Sequence, residues 1–106
     1  MSDYILTVFF STCNSPKGSR QTAIGAKAIA GLTVSVCKSL YSEYKGKRIH
    51  LIIYDNDGSI ISEHLPYIQD IHGNSSDVID LYIRERNSCD CKRHPWSKKR
   101  CLFEFI

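Results

Sequence analysis

The feature that most constrains the fold is a turn sequence between two strand-like runs. Residues 48–54 (RIHLIIY) and 59–65 (SIISEHL) are rich in β-branched side chains, and Asp-Asn-Asp-Gly at 55–58 joins them. Asn, Asp and Gly tolerate the positive backbone φ angles of tight turns, so the pattern predicts an antiparallel hairpin. The rest of the fold must be compatible with this hairpin.

Two further segments are typical of strands. Tyr4–Phe10 (YILTVFF) is almost wholly apolar, as expected of a strand covered on both faces. Residues 101–106 (CLFEFI) alternate and predict a final strand.

Residues 20–44 carry apolar or small side chains at the spacing of one helix face, which predicts a long helix. Ser19 precedes this segment as an N-cap, and Gly46 follows it as a stop signal. Two interior glycines each cost about 1 kcal/mol in a helix, and residues 32–36 also alternate as a strand would. A shorter helix is predicted from Ser76 to about residue 86.

The predicted order is therefore strand, helix, strand, strand, helix, strand. That order is typical of the ferredoxin-like βαββαβ plan, an α+β two-layer sandwich with two helices on one face of an antiparallel sheet. The 106 residues are 42% hydrophobic, so they suffice for a single domain over 1–106 with its own core. The fold itself says little about function.

Charge is segregated along the chain. Residues 1–49 and 84–101 each have a net charge of +5, whereas residues 50–83 contain six acidic side chains and no Lys or Arg. This pattern favours either an anion-binding face or pairing between the blocks after folding. Without a membrane span or a signal sequence, a cytoplasmic protein that does not bind membranes is expected.

Five cysteines in such a chain favour free thiols or metal ligands over a disulfide framework. Three cysteines and one histidine lie within or directly after a basic loop at about 87–100, and their side chains are of the types that zinc prefers. The C-x-C spacing is tighter than that of common zinc sites, so ordinary loop and core residues are the alternative. The predicted zinc ligands are Cys89, Cys91, His94 and Cys101.

The same loop combines basic side chains with the only tryptophan of the sequence. Such a segment can neutralise phosphates while the indole stacks on a base, or it can dock on an acidic protein with the indole as anchor. The alternative is that Trp96 covers the edge of the core. The predicted partner-binding residues are Arg93, Trp96, Lys98, Lys99 and Arg100.

A third candidate site lies in the loop 11–20 before the predicted long helix. Lys17, Ser19 and Arg20 would lie at the helix N-terminus, where backbone amides attract anions. The loop lacks the P-loop motif. A phosphate or nucleotide site is therefore the alternative function, and a plain polar loop is the simpler interpretation.

An enzymatic site is less well supported. Histidines and carboxylates are present in the middle of the chain, but the two aspartates of the 55–58 turn are explained as turn formers. His50 and His64 are expected to face each other across the hairpin. The residues considered for acid–base or metal chemistry are His50, His64, His72, Asp55, Asp57, Glu63 and Asp70.

The sequence therefore predicts a small non-enzymatic binding protein, of accessory or inhibitor type, that docks through its basic C-terminal segment. A protein partner is slightly favoured over nucleic acid. A homodimer is a further possibility if the final strand lies at an edge of the sheet.

Overall fold

The computed structural model describes residues 4–10, 22–25, 27–73, 76–83 and 95–106. These residues form seven strands and one short helix. In chain order the elements are β1 (Tyr4–Phe10), β2 (Thr33–Val36), α1 (Lys38–Tyr44), β3 (Ile49–Tyr54), β4 (Ile60–His64), β5 (Tyr67–Ile71), β6 (Val78–Ile83) and β7 (Arg100–Phe105).

The predicted hairpin is confirmed. Strands β3 and β4 pair in antiparallel fashion, and the backbone N–H of Asp55 donates to Ser59 O at 2.8 Å. Gly58 has a φ of +87°, which is the positive backbone angle that the turn sequence predicts. The predicted first and last strands are also confirmed, as β1 and β7.

The ferredoxin-like α+β prediction is wrong. The described residues form one mixed seven-stranded sheet, and the expected long helix at 20–44 contains only the two-turn α1. Gly25 and Gly31 adopt left-handed φ angles of +94° and +77°, which interrupt a helix. The β-branched residues after them extend as β2.

The second predicted helix is also wrong. Its described part is strand β6, which lies parallel to β1 with Val8 opposite Leu81. In β6, Ile79 and Leu81 are buried in the core, and Asp80 between them accepts a hydrogen bond from Thr7 Oγ1 of β1 at 2.8 Å. This alternation is that of a strand. Strand β5, directly after Pro66, was not predicted.

The order of strands in the sheet is β4-β3-β7-β1-β6-β2-β5. Its two outermost strands, β4 and β5, are consecutive in the chain and are separated only by Leu65 and Pro66. Ile49 N donates to Pro66 O, and Ile68 N donates to Lys47 O, each at 2.9 Å. The sheet therefore curves until its end strand β5 meets the start of β3, and it closes on itself at residues 47–49 and 66–68.

The core lies inside this closed sheet. Strand residues from β1, β2, β3, β5, β6 and β7 fill it, and α1 covers one end with the half-buried Leu40, Tyr41 and Tyr44. Closure lets each strand bury one face without a layer of helices. The buried core residues are Leu6, Val8, Val34, Val36, Ile49, Leu51, Ile53, Ile68, Ile79, Leu81, Cys101 and Phe103.

Candidate functional site

Trp96, the predicted anchor, is half-buried and packs against the hydrophobic core. Its indole lies edge-on to the His64 ring, with centroids 5.3 Å apart. Much of the indole surface is therefore used within the molecule. This position agrees with the alternative that Trp96 covers the edge of the core.

The basic neighbours of Trp96 differ in their surroundings. Lys99 Nζ lies 3.3 Å from Asp55 Oδ1, and its side chain is 21% exposed. The Arg100 guanidinium lies over the Tyr54 ring at 4.5 Å from its centroid. Lys98 is exposed, with a φ of +65°. Of these three, only Lys98 is presented to solvent without a bond or ring contact to a side chain in the described part of the chain.

Most residues of the other two predicted sites lie outside the described residues. They are Lys17, Ser19 and Arg20 of the anion-binding loop and the predicted zinc ligands Cys89, Cys91 and His94. Arg93, a predicted partner-binding residue, also lies outside the described residues. Cys101 is fully buried on β7 within the core. Among the described residues no cluster of metal-ligating side chains occurs, so zinc binding and anion binding stay predictions.

The histidines considered for acid–base chemistry do not form one group. Leu51, not His50, is opposite His64, so the expected facing pair is wrong, and the two rings lie on opposite faces of the hairpin. His50 lies between two carboxylates, with Nε2 2.9 Å from Glu63 Oε1 and Nδ1 3.4 Å from Glu104 Oε1. His72 Nε2 is 2.7 Å from the carbonyl of Val78.

His64 forms a hydrogen bond with a serine two residues away. Its Nε2 lies 2.9 Å from Ser62 Oγ, and burial lowers the pKa of the imidazole below its usual value. A serine beside a neutral histidine is one part of a nucleophilic site, but such a site also needs a group that orients the second ring nitrogen. Within the described residues, no side chain bonds Nδ1 of His64.

A cleft of about 540 Å³ opens beside strand β4. Its volume lies within the usual range for ligand-binding clefts. It is lined by the end of β4 and the residue after it, by the segment that precedes β2, and by residues at the start of β3. The lining residues are Ala30, Gly31, Leu32, Arg48, His50, Glu63, His64 and Leu65.

Arg48 is the cation of this cleft, and it is held in place from two sides. Its Nε donates to Leu65 O at 2.9 Å, and its guanidinium lies over the Tyr67 ring, 5.0 Å from the centroid. The terminal guanidinium nitrogens have no partner among the described side chains. A guanidinium fixed in this way is suited to bind a carboxylate or phosphate group.

Exposed apolar side chains surround Arg48. Leu32 is 36% exposed, Leu65 43% and Tyr67 36%. They adjoin one another, because Tyr67 N donates to Leu32 O at 2.9 Å and Leu65 precedes the strand that contains Tyr67. Apolar and aromatic side chains around an arginine are typical of the centre of protein interfaces.

The two outermost strands of the sheet differ in how their free edges are covered. On β5, the backbone groups of Ile68 on the side away from β2 are both hydrogen-bonded. Its N–H donates to Lys47 O, and its carbonyl accepts from Gly46 N at 2.7 Å. On β4, Pro66 O accepts from Ile49 N, so by alternation the backbone groups of Glu63 and Leu65 point away from β3.

Those outward groups of β4 are largely unpaired. Leu65 O accepts from Arg48 Nε, but the N–H and carbonyl of Glu63 and the N–H of Leu65 have no backbone partner in the part of the chain that the structure describes. Both residues line the cleft. An unpaired strand edge of this kind is a template for another strand.

Sequence reasoning did not find the cleft as a site. Its walls come from three separate segments, and only the closure of the sheet at residues 47–49 and 66–68 brings them together. The one available signal was Arg48, a basic residue at the start of a predicted strand, and it does not reveal a cleft.

The chain was compared with known protein families and with curated proteins. No family model matches it, and no curated protein is significantly similar to it. Within the described residues, no helix has both the length and the apolar character needed to cross a lipid bilayer. The function must therefore be argued from the site.

Proposed function

We propose that this protein is a non-enzymatic binding protein whose partner is another protein. The observation that supports it is the cleft face, where Leu32, Leu65 and Tyr67 remain exposed around the fixed guanidinium of Arg48. An exposed apolar group of this kind, rimmed by polar side chains, is typical of protein contact sites.

The contact surface proposed here is the cleft face, not the basic segment near Trp96. Trp96 packs on the core, Lys99 pairs with Asp55 and Arg100 stacks on Tyr54, so these side chains already have contacts within the molecule. A nucleic-acid partner would call for an array of free cations. Of the three described cations of the basic segment, Lys98, Lys99 and Arg100, only Lys98 fits that need.

The proposal includes a cytoplasmic location. Its support is that neither of the two described cysteines, Cys37 and Cys101, is in a disulfide, as is usual in a reducing compartment.

Site-specific photocrosslinking tests the proposed surface. A photoreactive phenylalanine analogue at Leu65 should form an adduct with a discrete protein in cells, and Leu32→Asp in the same chain should abolish that adduct. Ile5 is the matched control position, because it is also 43% exposed but lies on β1, away from the cleft. A third position at Lys98 reports on the basic segment.

The outcomes separate the two surfaces. An adduct from Leu65 that is absent from Ile5 and lost with Leu32→Asp supports the proposal. Equal adducts from Leu65 and Ile5 would contradict it. An adduct from Lys98 alone would also contradict it, and sensitivity of that adduct to nuclease would assign the partner as nucleic acid.

A further inference from the structure

The free edge of β4 has the properties of a site for one added strand. We infer that the cleft binds an extended, acidic peptide segment of the partner protein, which adds to β4 as a strand and places a carboxylate on Arg48. This inference rests on the proposed function and specifies how the partner is recognised.

The backbone supplies the first argument. The outward N–H and carbonyl of Glu63 and the outward N–H of Leu65 are unpaired in the described structure, and both residues line the cleft. An extended peptide satisfies such groups with its own main chain, every second residue, and its side chains then alternate between the two faces. The opposite edge, β5, is already bonded by residues 46–47.

The shape of the cleft supplies the second argument, because it favours a single peptide over a second copy of this chain. Ala30, Gly31 and Leu32 line the same cleft as Glu63 and Leu65, so a strand added to β4 would also meet the segment before β2. In a second copy, β4 is already paired with β3 along its other edge. That copy would therefore bring a whole sheet to the segment 30–32 that lines the cleft, whereas a peptide brings a single strand.

Charge supplies the third argument. Arg48 lines the cleft with its terminal nitrogens unpaired within the described residues, whereas the nearby Glu63 carboxylate is bonded by His50 Nε2 at 2.9 Å. His64 also lines the cleft, and burial lowers its pKa, so the imidazole is neutral near pH 7. Arg48 is the only Lys or Arg among the described residues that line the cleft, and its terminal guanidinium nitrogens can bind an acidic side chain or a peptide C-terminal carboxylate.

A displayed library of random octapeptides, selected on the wild-type protein, tests the inference. Selected peptides should share an Asp, a Glu or a free C-terminus at one fixed position. Their binding should weaken at least about tenfold in Arg48→Gln, because a charge-assisted hydrogen bond is lost. Arg48→Lys should also weaken binding, since an ammonium does not reproduce the planar donor geometry.

A second measurement uses the unmodified protein and so does not depend on how the variants fold. The best selected peptide is synthesised with N-methyl groups on every second residue, in each of the two phases. One phase should lose binding at least about tenfold and the other should keep it, because only alternate peptide N–H groups face β4. In NMR spectra the amides of Glu63 and Leu65 should become protected on binding.

Other results would overturn the inference. The inference is wrong if both phases of N-methylation leave peptide binding equally strong, or if the selected peptides lack a carboxylate. It is also wrong if no peptide is selected, or if the chain forms a dimer through β4. The proposed function is tested separately: if the Leu65 adduct persists while peptide selection fails, the cleft face still binds a protein, but not by strand addition.

Discussion

The imidazole of His64 and the indole of Trp96 meet edge to face, with centroids 5.3 Å apart and planes inclined by 61°. The contact joins β4 to the segment that precedes β7, and Trp96 packs on the core beneath it. The His64 side chain is half-buried beside Trp96, and burial lowers the pKa of the imidazole. The same contact therefore bears on the position of the indole and on the titration of the histidine.

This pKa shift predicts a pH-dependent stability. The unfolded chain protonates His64 near pH 6.5, but the folded protein resists protonation, so the unfolded state binds more protons below that pH. The contribution of His64 to the free energy of unfolding is therefore complete above about pH 7.5 and declines as the pH falls through 6.5. Urea unfolding at pH 8, 7, 6 and 5 measures it.

The matched variant for this measurement is His64→Gln, which keeps a hydrogen-bonding group for Ser62 and does not titrate. The difference in stability between wild type and variant should shrink as the pH falls. Parallel curves for the two proteins would show that His64 is protonated equally in both states.

Trp96→Ala is expected to destabilise the fold by about 2 kcal/mol, roughly half the loss of a fully buried tryptophan, since the side chain is half-buried on the core. Lys98→Ala, two residues away and exposed, should change stability by less than about 0.5 kcal/mol. Denaturant unfolding compares them. An unchanged stability in Trp96→Ala would mean that the indole is an outward anchor and not part of the core.

The sequence predicts the strands that carry unambiguous local signals. The 55–58 turn defines β3 and β4, and the apolar run of Tyr4–Phe10 defines β1. Both signals are local, because turn chemistry and a continuous β-branched run act within a few residues. Tertiary context was not needed to interpret them.

The wrong helices arise where two periodicities fit the same residues. Residues 32–36 alternate as a strand and also fall on the helical spacing of 20–44, and Val78 to Ile83 fit both patterns in the same way. Pairing with neighbouring strands decided both cases, as β6 lies between β1 and β2. That pairing is set by the whole sheet and is not visible in the local sequence.

The candidate site depends even more on long-range contacts. Arg48, Leu65 and Leu32 are distant in sequence and meet because Pro66 turns the chain from β4 into β5. In the local sequence, Pro66 indicates the end of a strand. In the fold, it lies at the bend between β4 and β5. For the same reason the final strand, β7, lies between β3 and β1 and not at an edge, so it is not available for the dimer pairing considered from the sequence.

Amide hydrogen exchange should distinguish the two ends of the sheet. The N–H groups of Ile49 and Ile68 donate across the closure, at 2.9 Å each, and should exchange slowly. The N–H groups of Glu63 and Leu65 face the open edge of β4 and should exchange orders of magnitude faster. Equal protection at all four positions in the free protein would show that the β4 edge is already covered.

Gly31 connects the cleft wall to the sheet, and its replacement gives a further prediction. Its N–H donates to Tyr82 O at 2.8 Å, and its φ of +77° is a conformation that residues with a Cβ adopt at a cost. Gly31→Ala should destabilise the protein by about 1 kcal/mol. A Cβ here would lie 3.9 Å from His64 Nδ1, an ordinary contact, so the cost arises from the backbone and not from a clash.

Gly73→Ala is the control, because Gly73 does not have a positive φ and an added Cβ would meet nothing within 4 Å. It should leave stability within about 0.5 kcal/mol of the wild type. Gly31→Asn should lie between wild type and Gly31→Ala, since Asn tolerates the left-handed region better than Ala. Thermal unfolding of the three variants ranks them, and an equal loss in Gly31→Asn and Gly31→Ala would show that φ at this position does not limit stability.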